Sequence, residues 1–280
     1  MNRSAVYLIF IFSAAYFSSC SDNLQNGNQL EPDNNYRYPY SLNSYWYYTT
    51  KNVITNIRPD SIRKYFSTDT LTGYGISVFL EDTVLSDDIV RIFKNEYSFN
   101  GHISVTREYF KQTDSGLIRM AFLNNGSGLG PYRNNINYSY GGKIFSSPNE
   151  ILRFAGNEFK GSDSVVTYDD PPLKVIRYPL EVNAEWILKQ GPILTIKKRY
   201  EGFEQLYISG KNHYCMKIKR LFYFNLNPDE NLYHTDFFSK DGIQRREIYI
   251  NDIAALNELG AQIGYIDLSE ITNVTLQSVK

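Results

Sequence analysis

The sequence contains few of the residues that usually carry chemistry. There are only two cysteines, Cys20 and Cys215, and three histidines, His102, His213 and His234. None of the histidines lies in a helical zinc-protease pattern or beside cysteine ligands, and no nucleophile-elbow pattern occurs. This scarcity excludes a disulfide framework and the common zinc motifs, and no catalytic constellation emerges.

An excess of charge of either sign is also lacking. The 280 residues include 29 basic and 30 acidic side chains, which gives a formal net charge of −1. Nucleic acid is therefore not expected as a partner, because its recognition needs a positively charged patch. Long apolar runs are missing as well. The stretch from Ala5 to Phe17 has thirteen residues, whereas crossing a bilayer core takes roughly 20.

That short stretch nevertheless has a recognisable order. It follows the basic start Met1-Asn2-Arg3 and runs into Ser18-Ser19-Cys20, which resembles the signal peptide and lipobox of bacterial lipoproteins. The resemblance implies removal of residues 1–19 and lipid attachment at Cys20, although Phe17 occupies the position where the usual lipobox has leucine. An ordinary cleaved signal with a coincidental cysteine is the alternative.

The residue after the cysteine bears on localisation. Ser21 stands where an aspartate retains many lipoproteins at the inner membrane, so the resemblance favours the cell envelope of a Gram-negative bacterium, with the lipid in the outer membrane. Residues 20–36 are rich in polar residues and glycine, a composition that cannot form a core. We expect them to be a flexible tether.

The body of the chain is expected to be mainly β. Short runs of aromatic and β-branched residues recur between Gly, Asn and Asp, and the connections are too short for crossover helices, which predicts antiparallel pairing. One short helix is predicted near 148–155. Ser147 can cap it, Pro148 suits its first turn, Glu150 completes a capping box, and Gly156 ends it.

Two segments of the body resemble each other. Residues 37–46 read RYPYSLNSYW and residues 177–186 read RYPLEVNAEW, and they contain the two tryptophans of the chain, Trp46 and Trp186. A second landmark follows in the same order, because an aromatic pair and an Asp-Ser-Gly or Asp-Gly turn come after each opening. The pattern predicts an internal duplication; hairpins that share common turn chemistry are the alternative.

We therefore predict two tandem antiparallel β-rich modules, residues 37–168 and 169–280, with Trp46 and Trp186 as structural anchors. The repeated YP-x-x-x-N-x-x-W openings resemble those of uncharacterised β-rich envelope lipoproteins. That resemblance carries no established activity.

A metal site is suggested at one place only. Oxygen-bearing side chains alternate along a turn and are followed by a carboxylate, as in a calcium loop: Asn225, Asn227, Asp229, Asn231 and Asp236. Pro228 interrupts the pattern, and Glu230 replaces the glycine of such loops, so a plain turn between strands is the simpler interpretation. The prediction is accordingly no cofactor and no resident metal.

Other candidates have simpler explanations. Cys215 lies in an alternating run and is expected to be a buried small hydrophobe. The glycine-rich run 126–130 lacks the lysine and helix of a phosphate loop, and its neighbours 132–135 could line a glycan or ligand site.

The sequence thus predicts a lipid-anchored, non-enzymatic envelope lipoprotein that acts as a binding or structural component. Its expected partners are the membrane, through the N-terminal lipid, and a glycan, protein or apolar ligand. One alternative is an envelope carrier that encloses a lipid or other apolar ligand in a curved β-sheet. A hydrolase ranks last, because it would need convergent acidic or histidine side chains in a cleft.

Overall fold

The computed structural model describes residues 36–66, 69–99, 102–124, 136–156 and 165–280. Residues 1–19, Cys20 and nearly all of the expected tether 20–36 lie outside these ranges, as do the runs 126–130 and 132–135. The prediction of a mainly β protein is confirmed. The strands within the described ranges are β1 (Tyr45–Arg58), β2 (Thr70–Leu85), β3 (Asp88–Phe99), β4 (His102–Thr113), β5 (Gly116–Asn124), β6 (Asn137–Tyr140), β7 (Lys143–Phe145), β8 (Thr167–Arg177), β9 (Glu185–Gln190), β10 (Leu194–Ile208), β11 (Lys211–Phe224), β12 (Asn227–Pro228), β13 (Leu232–Ser239), β14 (Gly242–Leu256) and β15 (Gln262–Ser278).

Two short helices accompany the strands. Helix α1 spans Pro148–Gly156, as the capping residues predict, and the Glu150 amide donates to Ser147 Oγ at 3.3 Å. The Glu150 carboxylate accepts from Ser146, one residue before the expected partner. A 3-10 helix at Asp60–Tyr65 was not predicted. Among the described residues, no helix has the length and apolar character needed to span a membrane.

Twelve of the strands form one continuous antiparallel sheet, in the order β8-β5-β4-β3-β2-β1-β15-β14-β13-β11-β10-β9. The hairpin β6-β7 extends from β14, and β12 pairs with β11. The sheet curls until its two edge strands, β8 and β9, lie side by side. Trp186 Nε1 on β9 donates to the Lys174 carbonyl on β8 at 2.7 Å, so side chains help to join the edges.

This arrangement does not show the two predicted tandem modules as separate bodies. Residues 32–280 form a single compact unit, because β1 pairs with β15 along most of its length and joins the two halves into one sheet. The expected boundary between residues 168 and 169 falls inside β8. The local sequence pattern could not reveal the pairing of β1 with β15, because pairing between distant strands depends on contacts that neither strand determines alone.

The two halves of the sheet nevertheless have matching features. The strands β1, β2, β3, β4, β5 and β8 follow one another across the sheet in the same sense as β9, β10, β11, β13, β14 and β15. Both openings turn on an asparagine with positive φ, 60° at Asn43 and 66° at Asn183. Equivalent backbone hydrogen bonds then join each opening to its second strand: Asn43 to Phe79 at 2.8 Å and Phe79 to Ser44 at 3.1 Å, Asn183 to Tyr200 at 2.7 Å and Tyr200 to Ala184 at 3.1 Å.

The interior contains two apolar layers, which are separated along the direction of the strands. The first includes helix α1 residues such as Ile151 and strand residues such as Ile196 and Phe222. The second surrounds Trp46 and Phe238. Because side chains alternate along each strand, every second residue enters the interior, and β1 shows this alternation in its burial.

Candidate functional site

A layer of polar side chains separates the two apolar layers. On β10, Lys198 lies between Ile196 of the first layer and Tyr200 of the second, and on β11 Arg220 lies between Phe222 and Ile218. Other strands repeat this order along their inner faces. We call this layer the polar belt and use the name for thirteen residues that line the interior cavities, together with His234, which contacts Asp236: Thr50, Asn52, Ser77, Asn95, Thr106, Glu108, Arg119, Lys198, Arg220, His234, Asp236, Arg246, Glu270 and Thr272.

Asp236 is the central anion of the belt and is 1% exposed. Its Oδ1 accepts from Arg246 Nε at 2.7 Å, and its Oδ2 accepts from Arg220 Nη2 at 3.1 Å. Lys198 Nζ lies 3.9 Å from Oδ2. Burial raises the pKa of Asp236, but Arg246 and Arg220 outweigh burial and hold the pKa well below its ordinary value. The carboxylate is therefore ionised at neutral pH and is shared by two guanidinium groups and the Lys198 amine.

Lys198 and His234 lie in the same cluster, and burial lowers the pKa of both side chains, with different consequences for their charge. Burial, reinforced by Arg220, lowers the pKa of Lys198 to about 7, so this amine is only half protonated near neutral pH. Burial lowers the pKa of His234 to about 3. The imidazole is thus neutral, and its contact with Asp236, at 3.4 Å, is not an ion pair. Its Nδ1 lies 3.1 Å from the Ala155 carbonyl of helix α1.

A second charged group continues the belt on β4, β5 and β8. Arg119 makes a two-pronged contact with Asp169, at 2.8 and 3.2 Å, and donates to Glu108 at 2.9 Å. Glu108 also accepts from Asn95 Nδ2 at 3.1 Å, and Asn95 Oδ1 accepts from Ser77 at 2.6 Å. The carboxylates of this group are thereby bound to neighbours other than the Asp236 cluster.

The belt encloses two adjoining cavities. The larger has a volume of about 160 Å³, and its charged lining residues are Glu108, Arg119, Lys198, Arg220, Asp236 and Arg246. The smaller has a volume of about 120 Å³ and is lined mainly by hydroxyl and amide side chains. Tyr97, Thr106 and Arg246 border both. Cavities with charged walls are unusual in a close-packed interior, which makes this the candidate binding site.

The two predicted anchors are placed in different environments. Trp46 is 0% exposed, and its Nε1 donates to the Asp241 carbonyl at 2.6 Å. Gly242, with a φ of 99°, allows this approach, because a Cβ there would lie 2.9 Å from Trp46 Nε1. Trp186 is only half-buried and packs on Tyr200, with ring centroids 4.8 Å apart. Neither tryptophan borders the cavities.

The residues of the suggested calcium site are not brought together as a set. Asn225, Asn227, Asp229 and Asn231 lie around the turn after β11, but Asp236 pairs with Ile218 on that strand. The six residues from there to Phe224 place Asp236 about 20 Å away. Asp229 accepts from the Asn231 amide at 2.9 Å and from Tyr140. No group of three or more metal-ligating side chains occurs among the described residues.

Cys215 is fully buried, as its sequence context predicts. Burial raises the pKa of its thiol to about 12, so the group stays protonated and is not a nucleophile near neutral pH.

The sequence did not identify the belt residues as a site. His234 and Asp236 lie on the same face of β13, as alternation along a strand predicts, and this face is buried. The sequence does contain a signal for these residues. Lys198, Arg220 and Asp236 each lie two positions from an apolar residue on the same strand, and residues two positions apart face the same side of a strand. A charge at such a position indicates a polar interior.

The fold and the belt define a mainly β protein with a charged interior cavity. No family model and no curated protein matches the sequence. Among solved structures, the chain is similar to a "putative exported protein with YmcC-like fold" from Bacteroides fragilis, with a TM-score of 0.30 and 8% identity. It is also similar to a "putative lipoprotein" from Parabacteroides distasonis, with a TM-score of 0.32 and 10% identity. Each match covers 87% of this chain and 99% of the other.

Proposed function

We propose that the protein is a lipid-anchored, non-enzymatic binding protein of the bacterial cell envelope, and that the polar belt is its binding site. The observation that carries the proposal is the pair of cavities between the apolar layers, bordered by charged and hydrogen-bonding side chains. Burying such groups does not favour stability over a well-packed apolar core. Their presence around open space is typical of a ligand site.

The volume and lining of the cavities bear on the size and polarity of the ligand. A volume of about 160 Å³ is close to that of an engineered cavity which holds benzene, roughly 150 Å³. The site therefore suits a small polar molecule. It gives no support to the alternative of a lipid carrier, because pockets for larger ligands start at about 300 Å³ and are mostly apolar.

We expect the full-length protein, purified in detergent, to retain a small molecule that native mass spectrometry detects as an added mass of about 100–200 Da. The Thr106→Phe substitution should abolish this mass, because Thr106 borders both cavities. Val105→Phe is the control, since neighbouring strand residues point to opposite faces. A protein that carries no added mass, or one that carries a lipid-sized mass, would contradict the proposal.

The lipid anchor in this proposal is supported by the sequence around Cys20. We expect wild-type cells grown with an alkyne-bearing fatty acid to label the protein, and the Cys20→Ala variant to lose the label completely, because the thiol is the attachment point. The measurement is in-gel fluorescence after coupling to a dye, normalised to protein amount. Cys215→Ala is the matched control and should label like wild type. Equal labelling of the Cys20→Ala variant and the wild type would contradict lipid attachment at Cys20.

We also infer that the two halves of the sheet derive from a duplicated unit. The matching strand order, the positive φ of Asn43 and Asn183 and the equivalent hydrogen bonds of the two openings support this inference. In this view the repeats build one shared interior, and charged belt residues from both halves surround a single larger cavity.

A further inference from the structure

We propose that the larger cavity binds a small molecule through its carboxylate or phosphate group, held by Arg220, Lys198 and Arg246. This inference rests on the proposed function, since it assumes that the belt cavity is a binding site, and it adds the chemical class of the ligand. The three cations project from β11, β10 and β14, and all three border the cavity.

Arg220 provides the first argument. Its side chain is 6% exposed, and its two terminal nitrogens donate to the Gly156 carbonyl at 2.8 Å and to Asp236 at 3.1 Å. Its Nε has no hydrogen-bond partner among the described residues. A buried guanidinium with an unsatisfied N–H is costly unless a ligand accepts from it. An oxyanion is the acceptor that a guanidinium binds best, because the charge strengthens the hydrogen bond.

The balance of charge provides the second argument. Glu108, the other acidic residue of the cavity wall, already accepts from Arg119 and Asn95. Asp236 is the carboxylate that pairs with Arg220 and Arg246 and lies 3.9 Å from Lys198 Nζ. Glu270, which lines the adjoining cavity, also favours the charged form of Arg246, so Arg220 and Lys198 are left to share Asp236. Buried charges are ordinarily paired, and a ligand with one negative charge would balance the excess that arises when Lys198 is protonated.

Lys198 provides the third argument, because its surroundings make binding depend on protons. The charged groups that act on it come from four strands: Arg119, Arg220, Asp236 and Arg246. Burial and the neighbouring cations lower the pKa of Lys198 to about 7. A bound anion favours the charged amine, so binding near neutral pH should take up a proton. The affinity should fall as the pH rises above 7.

Isothermal titration calorimetry on the full-length protein in detergent tests the inference. The probes are inorganic phosphate, succinate and, as an uncharged control, glycerol, all at constant ionic strength. We expect saturable binding of phosphate or succinate, no binding of glycerol, and an affinity at pH 8.5 that is at least tenfold weaker than at pH 6. Whichever anion binds identifies the group that the site accepts.

Variants connect the binding to the cavity. Arg220→Gln should weaken the anion at least tenfold, whereas Arg199→Gln, at a partly exposed position next to Lys198 on β10, should leave the affinity unchanged. Should Arg220→Gln not fold, Lys198→Met serves in its place and should remove the pH dependence. Absence of anion binding by the wild type, or binding that neither variant weakens, overturns the inference. If native mass spectrometry then shows a retained uncharged molecule, the proposed function stands and only the ligand class is wrong.

Discussion

Replacing Asp236 with asparagine is expected to lower the free energy of unfolding by about 3 to 5 kcal/mol, the loss typical of removing one partner from a buried ion pair. Asparagine has nearly the same shape, so the loss is one of charge and not of packing. Arg220 and Arg246 would remain in the interior and lose the carboxylate to which both donate. Lys198, at 3.9 Å, would add to their repulsion.

The measurement is urea unfolding followed by circular dichroism, with the midpoint and slope compared between variants. Asp114→Asn is the matched control. Its side chain is 99% exposed and accepts from Arg37 at the surface, where ion pairs contribute little. A loss below about 1 kcal/mol for Asp236→Asn would show that the cations do not depend on this carboxylate.

The pH dependence of this difference follows from the ionisation of Asp236. Because Arg246 and Arg220 outweigh the effect of burial, the pKa of the folded-state carboxyl lies well below its ordinary value of 3.8. A lowered pKa gives a stabilisation that is fully present above the unfolded-state value and is lost as the pH falls through the folded-state value. Between pH 5 and 8 the Asp236 carboxyl does not titrate in either the folded or the unfolded state. Its titration should therefore not change the difference in unfolding free energy between the wild type and Asp236→Asn in this range.

The second large effect is expected at the paired tryptophans. Trp46→Ala should lower the free energy of unfolding by about 3 to 5 kcal/mol, as for other fully buried large aromatic residues. Its ring lies among Tyr38, Phe93 and Phe79, with centroids 5.7 to 6.1 Å apart. Trp186→Ala should cost less, because Trp186 is partly exposed and has less apolar area to lose.

Chemical denaturation of both variants, monitored by circular dichroism, measures the comparison. Trp46→Phe separates packing from hydrogen bonding. It keeps a buried ring and loses the indole donor to Asp241, and so should cost about 1 kcal/mol for the hydrogen bond and a further loss for the smaller ring. Equal losses for Trp46→Ala and Trp186→Ala would contradict the difference in burial.

Local patterns in the sequence predicted the local structure. Alternating aromatic and β-branched residues gave the β class, and Ser147, Pro148 and Gly156 placed helix α1. The paired openings around Asn43 and Asn183 also have the same turn conformation. These features succeed because turns, caps and alternation are set by neighbouring residues.

The arrangement of the whole sheet and the belt were beyond such patterns. Nothing near Trp46 indicates that β1 pairs with β15, because that register depends on contacts across the complete fold. Likewise, Lys198 and Arg220 lie two positions from apolar residues on their strands, which is a signal for an inward face, but which other side chains they meet there depends on the complete sheet. The residues of the suggested calcium set are separated for the same reason, since Asp236 follows the turn in sequence but lies on the interior face of β13.

The pairing of β1 with β15 also determines when the protein can complete its folding. Trp46 lies opposite Gln277 in this pairing, so a strand made early in translation obtains its second neighbour only near the end. Contacts between such distant segments form slowly. Until β15 is available, β1 has an open edge, and an open strand edge is a site for aggregation.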